Sequence, residues 1–166
     1  MELVGRVGLV TGAGHRVGRA IALALGERGM KVAVHYNRTE AGAAETARMI
    51  EATGVEAATF AADLTDGDAP ARLVDEVASR FGGLDVLVNS AAVMERTPVG
   101  EVTVEAWDAM FAVNLRAPFF AAQAAARAMG SRGGAIVNLA DLAAFETWAS
   151  ARVICTTPAL VMPCGT

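Results

Sequence analysis

Val7-Gly8-Leu9-Val10-Thr11-Gly12-Ala13-Gly14-His15-Arg16-Val17-Gly18 is the stretch that decides the fold. Residues 7–11 are apolar and β-branched enough to form a buried strand, and the glycines end it. From Arg16 to Arg28 apolar side chains then recur at helical spacing until Gly29 supplies a C-terminal stop. A strand, a Gly-rich turn and a helix start form a natural anion site. Glycines let the backbone approach a phosphate, and the first helical turn offers unpaired N–H groups with a partial positive charge. The same arrangement also serves as a plain strand-to-helix connection. Its spacing is not the common G-x-G-x-x-G, since Gly12, Gly14 and Gly18 leave one residue too many.

Working outward, β-branched runs alternate with longer amphipathic ones. Lys31 to His35 reads as a second strand, and a helix opened by Thr39-Glu40-Ala41 closes near Thr53-Gly54. A third strand from Glu56 to Phe60 leads to Asp63, and Asp66 to Phe81 follows as a helix stopped by Gly82-Gly83. Leu84 to Val88 is nearly all apolar, as a strand buried on both faces should be. One long helix spans about Val104 to Met129, and Gly134 to Leu139 is a fifth strand. Strict strand–helix alternation implies a doubly wound parallel sheet of the Rossmann type, with about five strands and helices on both faces. The pattern predicts one domain over residues 1–148 and a tail, 149–166, of neither helical nor strand period.

Composition narrows the function. The chain has 166 residues, 54% of them hydrophobic, and a net charge of −4 without a basic run, which argues against nucleic acid and anionic membranes as partners. A small-molecule substrate is the better expectation. No charged n-region with an apolar core opens the sequence and no 18-residue apolar run crosses it, so a cytoplasmic location is expected. Cys155 and Cys164 are too few and too clustered for a disulfide framework or metal site and read as free thiols. The single lysine, Lys31, and the single tyrosine, Tyr36, lie early in the chain. A mechanism that needs Tyr and Lys together in a later helix is thereby excluded for this polypeptide acting alone.

The end of the second strand is where a dinucleotide fold reads the adenosine ribose: an acid selects a free 2′-hydroxyl, an arginine a 2′-phosphate. Here the segment is His35-Tyr36-Asn37-Arg38-Thr39, with no acid. NADP is therefore expected ahead of NAD, Arg38 pairing the phosphate and Thr39 donating its hydroxyl. The alternative is that Arg38 is a solvated helix-start residue. His35, on the apolar strand, reads as a packed histidine in preference to a base.

These residues resemble the short-chain dehydrogenases/reductases. Thr11-Gly12-x-x-x-Arg16-x-Gly18 is similar to the family's T-G-x-x-x-G-x-G, with Arg in place of the middle Gly as in pteridine-reductase-like members. His35, Tyr36, Arg38 and Thr39 match the second-strand end of those members. Asp63-Leu64 resembles the pair that contacts adenine, Asn89-Ser90-Ala91-Ala92 the N-N-A-G segment beside the cofactor, and Asn114 the family's structural and catalytic asparagine. The resemblance implies an oxidoreductase that moves hydride between NADPH and a carbonyl or imine-like substrate. It assigns cofactor contacts to Gly12, Gly14, Arg16, Val17, Gly18, Tyr36, Asn37, Arg38, Thr39, Asp63, Leu64, Asn89 and Ala91. Alone, Asp63 could be a loop acid, Asn89 a turn former and Asn114 a helix-interior amide.

The resemblance breaks at the proton donor. The family's serine position is Asp141, as in the pteridine-reductase-like members; counting on, its tyrosine falls at Ile154 and its lysine at Pro158. Isoleucine has no proton to give, and proline would break the helix that should carry both. Asn114 and Asp141 are the active-site positions left. The aromatic residue that stacks on a pterin ring aligns with Met94, for which core packing is the simpler reading. The expectation is that residues 1–148 are the front of such a reductase, without the family's last strands, and that 149–166 is foreign to it, leaving the chain inactive alone. A second expectation, from another class, is a non-catalytic dinucleotide-binding or interaction fragment. The apolar helix 104–129 would then pair with another subunit, as it could in a homo-oligomer.

Overall fold

The computed structural model describes residues 2–94 and 100–140; Asp141, Ile154, Pro158 and the expected tail lie outside them. In chain order the elements are β1 (Val7–Val10), α1 (Arg16–Glu27), β2 (Lys31–Tyr36), α2 (Glu40–Glu51), β3 (Ala57–Ala61) and α3 (Ala69–Phe81). Then come β4 (Val86–Asn89), α4 (Val104–Phe111), α5 (Ala117–Met129) and β5 (Ala135–Asn138). The strands form one parallel sheet in the order β3-β2-β1-β4-β5. The fold is the doubly wound Rossmann type.

Period-two alternation along β1 separates the two apolar layers. Val7 and Leu9 pack with Leu87, α3 and α5, whereas Val10 packs with Val32, Val34, α1 and α2. The central strands are covered on both faces, which is why they carry almost no polar residues. Asp85 is an exception with a purpose. Its carboxylate accepts the Val7 N–H at 2.9 Å and pairs with Arg6 at 2.9 Å, locking the start of β4 to the start of β1. Among the described residues no helix is long and apolar enough to cross a membrane.

Several element boundaries differ from expectation for local reasons. β1 ends at Val10, before Thr11, while β2 runs one residue further because Tyr36 pairs with Ala61. β3 is shifted to Ala57–Ala61, and β4 starts at Val86, two residues after Leu84, once Asp85 has made its side-chain lock. β5 is trimmed at both ends to Ala135–Asn138. α3 starts at Ala69, three residues after Asp66: Pro70 belongs in a first turn, where a missing N–H is free, and Asp66 makes a turn on the Asp68 N–H at 3.1 Å. The helix expected over 104–129 is two α-helices joined by a π-turn, Ala112–Arg116. Pro118 cannot donate to the carbonyl four residues back, so the regular ladder breaks just ahead of it.

His35 fixes the first turn. It is 2% exposed; Nδ1 accepts the Gly12 N–H at 3.1 Å, so Nε2 carries the hydrogen and donates to the Ala62 carbonyl at 3.1 Å. One neutral imidazole thus holds the turn after β1 against the ends of β2 and β3, as the packed histidine expected of this position. Burial holds its pKa below the usual histidine value, against the opposing pull of the Ala62 carbonyl. The unfolded chain therefore takes the proton first, and His35's contribution is complete above about pH 6.5 and lost as pH falls toward the folded value. Thermal unfolding should show a lower midpoint at about pH 5.5 than at about pH 7.5. His35→Asn, which keeps an acceptor but cannot titrate, should flatten that difference, and an unchanged pH profile would count against it.

Candidate functional site

All five carboxyl ends of the strands open on one edge of the sheet, and chain order reverses there between β1 and β4, the crevice where open α/β sheets take ligands. A cleft of about 570 Å³ occupies it. Gly12, Arg16, Val17 and Gly18 line it from the first turn, Tyr36, Asn37, Arg38 and Thr39 from the end of β2, Asp63 and Leu64 from beyond β3, and Ala91 from beyond β4. These positions are spread over 80 residues of sequence and meet only because parallel strands end together.

The turn is built by close backbone approach. Gly12 has φ +67°, and a Cβ there would lie 2.9 Å from Ala91 Cα; a Cβ at Gly18 would strike the Gly12 carbonyl. Thr11 fastens the opposite wall: its hydroxyl accepts the N–H groups of Ser90 at 2.9 Å and Ala91 at 3.0 Å. Arg16 has φ +50°, a left-handed backbone that costs a side-chain-bearing residue about 1–2 kcal/mol. It stands where the quoted family pattern has glycine, and its exposed side chain lines the cleft.

The charges are arranged for an anion. Arg16 and Arg38 are exposed at the cleft, and the end of β2 carries no acid. Asp63 is the carboxylate that lines the cleft. Its Oδ1 accepts the Thr65 N–H at 2.9 Å and the Thr65 hydroxyl at 2.7 Å. Those two bonds, with the Asn37 side chain and the Arg38 charge behind them, hold its carboxyl below the usual carboxylate range. Asp63 is thus an ionised, oriented acceptor.

Three expected positions stand behind the cleft. Gly14 presses against α2, a Cβ there lying 2.5 Å from Thr39 Oγ1. Asn89 is buried and donates to Asn138 Oδ1 at 2.8 Å and the Pro118 carbonyl at 3.5 Å, tying β4 to β5 and α5. Asn114 sits in the π-turn and clasps the Val93 backbone, accepting its N–H at 2.9 Å and donating to its carbonyl at 2.8 Å. Asp141 lies outside the described residues. Met94 is 58% exposed, so core packing does not describe it.

The sequence reading missed a wall of the cleft: Ala106, Ala109, Met110 and Val113, on α4 and the π-turn. Their helical spacing was legible, but an apolar stripe does not announce whether it faces a core or a cavity. His15, His35, Thr65, Ser90, Ala92 and Val93 complete the lining. Lys31 is at the opposite end of the sheet, at the start of β2, paired with Glu56 at 3.3 Å. With Tyr36 at the far end of the same strand, roughly 16 Å away at the usual strand rise, the two cannot act as a couple.

The family model of the short chain dehydrogenases matches residues 6–159. Sorbitol dehydrogenase of Cereibacter sphaeroides is 39% identical over 98% of this chain and 62% of its own length. Versicolorin reductase 1 of Aspergillus parasiticus is 40% identical over 86% of this chain and 54% of its own. A short chain dehydrogenase from Burkholderia cenocepacia, solved in complex with NADP, superposes with a TM-score of 0.85 at 39% identity, covering 89% of this chain and 60% of that one. The chain spans between a half and two thirds of the length of these relatives. A model match across nearly the whole sequence, on a sheet whose cleft has just been described, means that the chain belongs to the short chain dehydrogenase family.

Proposed function

We propose that the chain binds NADP(H) in the cleft and corresponds to the cofactor-binding part of a reductase that transfers hydride between NADPH and a carbonyl or imine-like substrate. The observation that carries this is the end of β2: Arg38 and Thr39 line the cleft, and residues 35–39 hold no acid to select a free 2′-hydroxyl. The glycine cradle at Gly12 and Gly18 fits a diphosphate, because the space a Cβ would fill is left to backbone and ligand. NAD fits less well, since it brings no 2′-phosphate to Arg38 and Thr39. The NADP held by the Burkholderia relative points the same way.

In this reading Gly12, Gly14, Val17 and Gly18 build the diphosphate cradle, and Arg16 neutralises its charge. Arg38 and Thr39 take the 2′-phosphate, with Tyr36 and Asn37 flanking them; Asp63 and Leu64 receive the adenine, and Asn89 and Ala91 shape the inner wall. When bound, NADPH supplies the hydride. Asn114 holds Val93 at the cleft edge, and the apolar wall of Ala106, Ala109, Met110 and Val113 keeps water from that end. Asn114 and Asp141 are the family's active-site positions present. Counting on from Asp141 puts the family's tyrosine and lysine positions at Ile154 and Pro158. Neither can donate or activate a proton, so we infer that residues 1–148 bind cofactor and that the 166-residue chain does not turn over alone. We also propose a second copy of the chain as partner along 104–129, where Trp107, Phe119 and Phe120 are each about 40% exposed.

Three outcomes test this reading. Fluorescence titration should give tighter binding of NADPH than NADH, and Arg38→Ala should weaken NADPH about 10–100-fold while leaving NADH nearly unchanged, the loss of a charge-assisted bidentate contact. Equal affinities in the unmodified chain would remove the role given to Arg38. The purified chain should not oxidise NADPH above the protein-free rate with a panel of ketones, quinones and imines, and any turnover would overturn the inactivity. Sedimentation should show a dimer or larger species that Phe120→Glu dissociates; a monomer at all concentrations would exclude the helical interface.

A further inference from the structure

α2 begins immediately after Arg38 and Thr39, so whatever fixes this helix also fixes them. Its first turn lies against the turn that follows β1. A Cβ at Gly42 would strike the Gly14 carbonyl, and one at Gly14 would lie 2.5 Å from Thr39 Oγ1. Beneath that contact is a polar cluster to which the function above gives no task. Thr46, on α2, is completely buried. Its hydroxyl lies 3.1 Å from the Ala13 carbonyl in the β1 turn and 2.8 Å from the Gly42 carbonyl one helical turn back. It also accepts Arg19 Nε, from α1, at 3.0 Å. The same guanidinium donates through Nη2 to the Gly42 carbonyl at 3.0 Å and to Glu45 at 3.1 Å.

We propose that Thr46 and Arg19 are positioning residues for cofactor selection, holding the start of α2, and with it Arg38 and Thr39, at a fixed distance from the β1 turn. The inference rests on the reading of Arg38 and Thr39 as the 2′-phosphate site. A hydroxyl that served α2 alone would need only the Gly42 carbonyl, the ordinary partner of a threonine inside a helix. Thr46 instead meets groups from three segments, and the bond it receives from Arg19 carries a charge. Thr39 is carried by α2 through the Ala43 N–H, which donates to the Thr39 carbonyl at 2.9 Å. The glycine cradle meets the clasp at the Ala13 carbonyl but keeps supports of its own, His35 on the Gly12 N–H and Thr11 on the Ser90 and Ala91 N–H groups. Loosening the clasp therefore disturbs the 2′-phosphate contacts, which are directional, and spares the diphosphate contacts, which both cofactors share.

The test is a paired titration of the full 166-residue chain with NADPH and with NADH. Thr46→Val removes the hydroxyl at nearly constant shape. It should weaken NADPH about fivefold, as expected for one lost hydrogen bond, and change NADH less than about twofold, while Thr46→Ser restores the preference. Arg19→Leu, at a partly exposed position, should lower the same ratio and serves as the second variant should Thr46→Val fail to fold. A folded Thr46→Val or Arg19→Leu protein that keeps the full preference, or loses both cofactors equally, overturns the positioning role. An unmodified chain without any preference for NADPH overturns the 2′-phosphate reading itself.

Discussion

The turn after β1 exists only because three other segments come within backbone-contact distance of it. Ala91 closes on Gly12, Thr39 and Gly42 close on Gly14, and the helix start at Gly18 closes on the Gly12 carbonyl. Each contact occupies space that a methyl group would need, so the glycines are required by crowding as much as by conformation. The polar groups released by such a turn are then claimed one by one. His35 takes the Gly12 N–H, Thr11 takes two N–H groups from the far side of the cleft, and Thr46 reaches the Ala13 carbonyl. A buried backbone group left without a partner would cost about 1–3 kcal/mol, and this accounting makes the turn a rigid platform.

That platform explains how electrostatics and packing divide the work. Arg16 and Arg38 stand in solvent at the cleft, where their charge can meet an anionic ligand without a desolvation cost in the empty protein. The side chains that clasp the turn between them, His35 and Thr46, are buried and neutral. Arg16 adds a strained element, since its left-handed backbone is the conformation a glycine would adopt freely. The ion pairs of Arg6 with Asp85, and of Lys31 and Arg80 with Glu56, collect at the starts of the strands, away from the cleft. Stability and binding thus draw on opposite edges of one sheet.

Much of this was legible beforehand because the signals are local. Alternation of apolar strands with amphipathic helices needs only a window of residues, and it yields the parallel sheet. The glycine turn and the acid-free end of β2 are readable for the same reason. Legibility failed where geometry is collective. Pro118 interrupts a helix that periodicity alone would extend, and the π-turn it leaves carries Asn114 into its clasp on Val93. Met94 looked like a core residue by type, yet is exposed. The wall at Ala106, Ala109, Met110 and Val113 is an apolar stripe whose face is chosen by the packing of α4 and the π-turn.

The sequence by itself determined the order of strands and helices, the glycine turn between the first strand and the first helix, and the restriction set by one lysine and one tyrosine. Those follow from composition and near-neighbour periodicity, which do not depend on distant contacts. Only the tertiary structure decided which side chains share the cleft and which stand behind it. It separated Lys31 from Tyr36 along a single strand, turned Gly14 toward Thr39, and joined Arg19, Thr46 and Ala13 across three segments. The physical reason is that parallel pairing brings strand ends together regardless of their distance in sequence. The spacing of side chains across a sheet is set by its hydrogen-bond register, which no local pattern specifies.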